Sequence, residues 1–286
     1  MKKAVSFILA AVMAVLLFPA AARAEAAEGS GEIVTASVSV VDKEALDAGI
    51  EAIIKSSGRS RDSVSVALYY TGTGEYYYYN ANRWWYTASL FKLPLVMKMA
   101  NMKKHDEIDY DSFRLDNTDI ETVFHQIIRY SDSHWAFAMQ QKVFHDDLRT
   151  IRRNDLGFSE GVWKEELPKT FFVEYLYSAR FYLGIVKELY ENPDEYPNVL
   201  QYMCEASPQD YFHRVLGDRY VIAQKYGSAG GCCHTGGIIY TPEPVILVVM
   251  NYEVNDFAGN RMIGDISSYV AECAEDWHLA LEGGSP

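Results

Sequence analysis

Cysteine is scarce in this sequence of 286 residues: Cys204, Cys232, Cys233 and Cys273 are all there is. Four are too few for a disulfide scaffold. Cys232 and Cys233 are adjacent and would bridge each other only with strain, so any bridge reaches Cys204 or Cys273, and the sequence does not choose between them. The cluster Cys232-Cys233-His234 lacks a second, spaced ligand pair, so buried thiols are the simpler reading and neither a metal nor a cofactor is implied. Basic residues are also short, 26 against 39 acidic, for a formal net charge of −13. Such a surface disfavours nucleic acid and anionic membranes as partners. Internal repeats are absent, and low complexity is confined to the N-terminal 32 residues.

The only long apolar run is the one from Ala4 to about Ala20, preceded by Lys2-Lys3 and followed by Ala22-Arg23-Ala24. Charged start, apolar middle and small-x-small end read as a secretory signal over 1–24. The run is short for a membrane span and lacks a basic stop-transfer cluster, so no stable membrane anchor is expected after processing. No cysteine follows it to carry a lipid. Export to the periplasm, cell wall or medium is the expectation, as a monomer. Cleavage would remove Lys2, Lys3 and Arg23 but no acid, taking the charge from −13 to −16. Residues 25–32 read as a flexible lead.

The full sequence is 49% hydrophobic, ample for a core. Val34–Val41 alternates like a strand, Asp42 caps a helix with Leu46, Ile50, Ile53 and Ile54 on one face, and Val64–Asn80 reads as a hairpin around Thr71–Gly74. A helix opens near Ser89, since Pro94 is tolerated only near a helix start. Helical segments follow to about Leu200, including 171–190 with Phe172, Tyr175, Ala179 and Leu183. Three strands come next, Tyr220–Gly227, Gly236–Tyr240 and Val245–Tyr252, and then a helix from about Arg261 to Leu281 with Ile266, Val270, Cys273 and Trp277 on one stripe. Neither end of the chain buries a sheet face alone. The expected fold is therefore α/β: an antiparallel sheet built from both chain ends (33–85 and 217–283) with a helical lobe (86–216) inserted.

Three short motifs fall where that architecture brings them together: Ser89-Leu90-Phe91-Lys92, Ser131-Asp132-Ser133 and Lys225-Tyr226-Gly227. Three residues apart on a helix, Ser89 and Lys92 share a face. A lysine made less basic by burial and by the positive end of the helix can deprotonate a serine hydroxyl at neutral pH. In order and context the set resembles the SxxK, SDN and KTG motifs of class A β-lactamases and penicillin-binding proteins, over about residues 40–283. The resemblance implies a five-stranded antiparallel sheet with flanking helices and a helical lobe. It also implies Ser89 as nucleophile, Lys92 as base, Ser131 as proton donor to the leaving nitrogen, and Lys225 as a positive group for a substrate carboxylate that also holds Ser131. Gly227 would let the substrate approach the strand, and the N–H groups of Ser89 and Ser228 would form the oxyanion hole.

Three departures accompany the resemblance. Ser133 stands where the family usually has Asn, and Tyr226 where it has Thr, although Ser228 offers a hydroxyl nearby. The Glu and Asn that position the deacylating water have no evident match in the short segment before Thr170, where Glu160, Glu165 and Glu166 are candidates by proximity alone. Tyr76–Tyr79 with Trp84, Trp85 and Tyr86 fit a groove lining or plain sheet packing equally well, and His134 has no assigned role. The implied activity is cleavage of a β-lactam or a D-Ala-D-Ala-like amide through an acyl-serine. Two alternatives stand beside it: a D,D-carboxypeptidase acting on peptidoglycan stem peptides, and a non-catalytic penicillin- or peptidoglycan-binding protein of the same fold.

Overall fold

The computed structural model describes residues 39–107, 109, 114–144, 175–252 and 255–283. The signal segment, the flexible lead, Val34–Val38, Glu160, Glu165, Glu166, Thr170 and Phe172 lie outside the described residues. Where the strand expected from Val34 ends, Ser39–Val41 forms no ladder. The Val40 and Val41 amides donate instead to the Glu75 carboxylate at 3.1 and 3.4 Å.

Asp42 starts the first helix as expected, its carboxylate accepting the Ala45 N–H at 2.9 Å. Helix α1 (Lys43–Ser56) then buries Leu46, Ile50 and Ile54, with Ile53 at the margin. Strands β1 (Val64–Tyr70) and β2 (Glu75–Tyr79) form the hairpin, in register Leu68↔Tyr77, and Gly74 supplies the positive φ of its turn.

The insertion follows. It comprises β3 (Trp84–Tyr86), a 3₁₀ turn (Ala88–Phe91), α2 (Lys92–Lys104), the short pair β4 (Arg114–Leu115) and β5 (Thr118–Asp119), α3 (Ile120–Arg129) and α4 (Ser133–Phe144). It continues with β6 (Leu176–Ser178), α5 (Ala179–Glu191), α6 (Val199–Cys204) and α7 (Phe212–Leu216). The helix expected over 171–190 thus begins only at Ala179. Leu176–Ser178 pairs with β3 instead, and the Ser178 hydroxyl accepts the Phe181 N–H at 3.1 Å to cap α5.

The closing strands are β7 (Ile222–Ala229), β8 (Cys232–Ile239) and β9 (Val245–Asn251), followed by α8 (Asp256–Leu281). Strand β8 starts four residues before the expected Gly236, because Gly230 and Gly231, both at positive φ, make the turn and leave Cys232-Cys233-His234 free to pair with β7. Gly236 and Gly237 sit inside the strand for want of room: added β-carbons would lie 2.5 Å from the Tyr182 ring and 2.1 Å from the Ala223 carbonyl oxygen. Helix α8 starts at Asp256, ahead of the expected Arg261, because Asn255 caps it through the Ala258 N–H.

The sheet runs β2-β1-β9-β8-β7 and is antiparallel throughout. Strands β1 and β9 pair directly, Leu68↔Leu247, so the two chain ends share one sheet as the sequence implies. Alternation then divides the core. Val64, Val66, Leu68, Leu247 and Val249 face α1 and α8, while Ala67, Ile238, Ile246, Val248 and Met250 face the helical lobe. Truncating a fully buried residue such as Ile50 to Ala would cost about 2–5 kcal/mol. Edge strand β7 passes the start of the Ala88–Phe91 turn, and there the three motifs converge.

Candidate active site

Backbone geometry presents the serine. Trp85 is buried with its indole N–H donating to Ser65 Oγ at 2.9 Å, and the Thr87 N–H donates to the Tyr175 carbonyl at 2.7 Å. Ala88 then adopts φ +47°, a left-handed conformation that costs a non-glycine residue about 1–2 kcal/mol. The chain turns sharply into the 3₁₀ segment, which carries Ser89, and Lys92 opens α2. Strand β7 closes on this corner. A β-carbon on Gly227 would meet the Ser89 nitrogen at 2.6 Å and the Leu90 nitrogen and Thr87 oxygen at 3.1 Å. The missing side chain at Gly227 thus lets β7 pass directly against the backbone of Ser89.

Lys92 is fully buried, and its Nζ donates to Ser89 Oγ at 2.9 Å. It also reaches Ser133 Oγ at 2.9 Å, Ser131 Oγ at 3.4 Å and the Ser131 carbonyl. Burial lowers its pKa to about 8, against an opposing pull from the Asp132 carboxylate.

The second motif divides its labour. Asp132 Oδ1 accepts the Trp135 N–H at 3.0 Å and so caps α4, whose first residue is Ser133. Ser131 just before it sits at φ +57°, which turns both its carbonyl and its hydroxyl toward Lys92. From the far side the buried Lys225 donates to Ser131 Oγ at 2.9 Å and to its neighbour's carbonyl, Tyr226 O, at 2.7 Å. Burial, then the charge of Lys92, holds the Lys225 pKa well below the ordinary lysine range. Five of the expected residues, Ser89, Lys92, Ser131, Ser133 and Lys225, therefore form one hydrogen-bonded network, with Gly227 packed against it and Ser228 next along β7. Tyr226 turns elsewhere, donating its hydroxyl to the Ser207 carbonyl.

A family model described as the beta-lactamase enzyme family matches residues 45–133 and 149–273, most of the chain. The chain belongs to the beta-lactamase enzyme family. Among solved structures, a beta-lactamase from Sphaerobacter thermophilus is 19% identical, with a TM-score of 0.64 over 82% of this chain and 98% of that one. TLA-3 extended-spectrum beta-lactamase is 16% identical, with a TM-score of 0.64 over 81% and 98%. PBP-A is 14% identical, with a TM-score of 0.60 over 79% and 96%. At these identities the likeness is one of fold. A search of curated proteins found no match.

Within this beta-lactamase-family fold, His234 of the Cys232-Cys233-His234 cluster is a core residue. Its Nδ1 accepts the Asn251 N–H at 3.1 Å and its Nε2 faces the Tyr86 carbonyl at 2.8 Å, so both nitrogens are engaged. Burial lowers its pKa to about 4. No disulfide joins the four cysteines. His134 is exposed, 3.5 Å from Asp116. Sequence reasoning missed Thr87, Tyr175 and Ala88, which aim the serine; their parts depend on a ladder between β3 and β6, 92 residues apart at Trp85↔Tyr177, and leave no local signal.

Proposed function

We propose that the protein is a serine hydrolase that opens β-lactam or D-Ala-D-Ala-like amides through an acyl-Ser89 intermediate, after export. The single observation that carries this reading is Lys92 Nζ, buried and made less basic, at 2.9 Å from Ser89 Oγ. A neutral Lys92 takes the hydroxyl proton as Ser89 Oγ bonds to the substrate carbonyl carbon. The Ser89 and Ser228 N–H groups hold the developing oxyanion. As the carbon–nitrogen bond breaks, Ser131 gives its proton to the leaving nitrogen and recovers one from Lys92, which returns to neutral. Lys225 keeps Ser131 Oγ in place throughout. Water then cleaves the ester and frees Ser89.

Intact-mass measurement after incubation with a panel of β-lactams tests the reading. The wild type should gain one acyl mass and Ser89→Ala none; label that survives the substitution, or maps to another residue, overturns it. Hydrolysis of a chromogenic cephalosporin, compared with release of D-Ala from a stem peptide, separates a β-lactamase from a D,D-carboxypeptidase. Absence of any acyl adduct favours the non-catalytic reading.

A further inference from the structure

Tyr226 stands in the third motif, yet its polar atom is directed into the protein. Its ring stacks on Tyr211, centroids 4.9 Å apart at 16°, and its hydroxyl donates to the Ser207 carbonyl. The Tyr211 segment is itself fixed. The Tyr211 N–H donates to Asn260 Oδ1 at 2.8 Å, and Gln224 on β7 grips both sides of it, accepting from the Phe212 N–H at 3.1 Å and donating to the Asp210 carbonyl at 2.9 Å. Ser207 in turn donates its N–H to the Arg129 carbonyl at 2.8 Å, at the last residue of α3 and two before Ser131.

We propose that Tyr226 is a positioning residue that clamps Ser207 and, through the Ser207–Arg129 hydrogen bond, holds the Ser131 segment opposite Ser89. Adjacent residues of one strand thus reach the same segment by two arms. Lys225 grasps Ser131 Oγ directly, and Tyr226 fixes the helix end from which Ser131 springs. The second arm has a use because Ser131 lies at φ +57° between two helices, a conformation that persists only where its surroundings impose it. A threonine is too short to span from β7 to Ser207, so the tyrosine exchanges a hydroxyl in the site for a strut between sheet and helical lobe.

This inference rests on the proposed role of Ser131 as proton donor, and the leaving group tests both. An amine must be protonated to depart, whereas a thiolate need not be. Acylation rates are therefore measured with a β-lactam and with a thioester acyl donor, on wild type, Ser131→Ala and Tyr226→Phe. Ser131→Ala should slow the β-lactam far more than the thioester. Tyr226→Phe keeps the stack and loses only the strut, and should show the same selective pattern at smaller size, about tenfold on the β-lactam and within about twofold on the thioester. Should the Phe protein melt well below wild type, Tyr226→His, whose ring cannot reach Ser207, is read in the same way. Equal slowing of both donors, or no slowing, overturns the positioning role. If Ser131→Ala itself shows no preference between donors, the proton-donor reading fails first.

Discussion

A β-carbon added to Gly227 would lie 2.6 Å from the amide nitrogen of Ser89. The obstacle is backbone, with the Leu90 nitrogen and Thr87 oxygen close behind it, so no side chain can swing aside. Strand β7 and the Ser89 corner fit together only because one residue has no side chain.

Gly227→Ala should accordingly push β7 away from the corner. The expected cost is about 1–3 kcal/mol of stability, the usual range for overpacking, together with a loss of acylation larger than the loss of stability explains. Denaturant melts beside acylation kinetics measure both. A variant with wild-type stability and rate would show that the corner is looser than these distances imply.

Lys92 must be neutral to accept the Ser89 proton, and its pKa is about 8. Below that value the ammonium form dominates, so second-order acylation should rise about tenfold per pH unit up to roughly pH 8 and then level. The same depression acts on folding. The unfolded chain binds this proton at pH values where the folded one does not, so stability should rise between about pH 8 and 10.5. Lys92→Ala should slow acylation by about 10²-fold or more and remove the inflection. An unchanged pH profile in that variant would assign the base elsewhere.

His234 keeps both hydrogen bonds only as the neutral ring, and burial lowers its pKa to about 4. The unfolded histidine takes up its proton near 6.5, so this residue's contribution to stability declines as pH falls from about 6.5 toward 4. Ring proton shifts followed by NMR should stay at their neutral values until about pH 4. Titration of His234 near 6.5 is the contrary result.

Discharge of the acyl-enzyme is predicted to be slow, since the segment before Thr170 carries no evident Glu and Asn pair and a general base is worth roughly 10²–10⁴ in rate. Pre-steady-state kinetics with a good β-lactam should show a stoichiometric burst and then slow turnover. Rapid multiple turnover would contradict this, and its loss in just one of Glu160→Gln, Glu165→Gln and Glu166→Gln would identify the base.

The sequence by itself determined the elements whose signals are local. Asp42 caps α1, Leu46, Ile50 and Ile54 line its buried face, the Thr71–Gly74 turn closes the first hairpin, and the three-residue spacing sets Lys92 beside Ser89. It also gave each motif its setting: Ser89 and Lys92 at the entry to a helix, Ser131–Ser133 within the helical insertion, and Lys225–Gly227 on a closing strand. What only the tertiary structure decided are the contacts between segments remote in the chain. Tyr226 carries no mark of its attachment to Ser207, Gly227 none of its closeness to Ser89, and Leu176–Ser178 none of its pairing with β3 in place of a helix. Periodicity and caps report on neighbours within a turn or a hairpin; the partner of an edge strand is fixed by whichever surface the fold packs against it, and that information lies dozens of residues away.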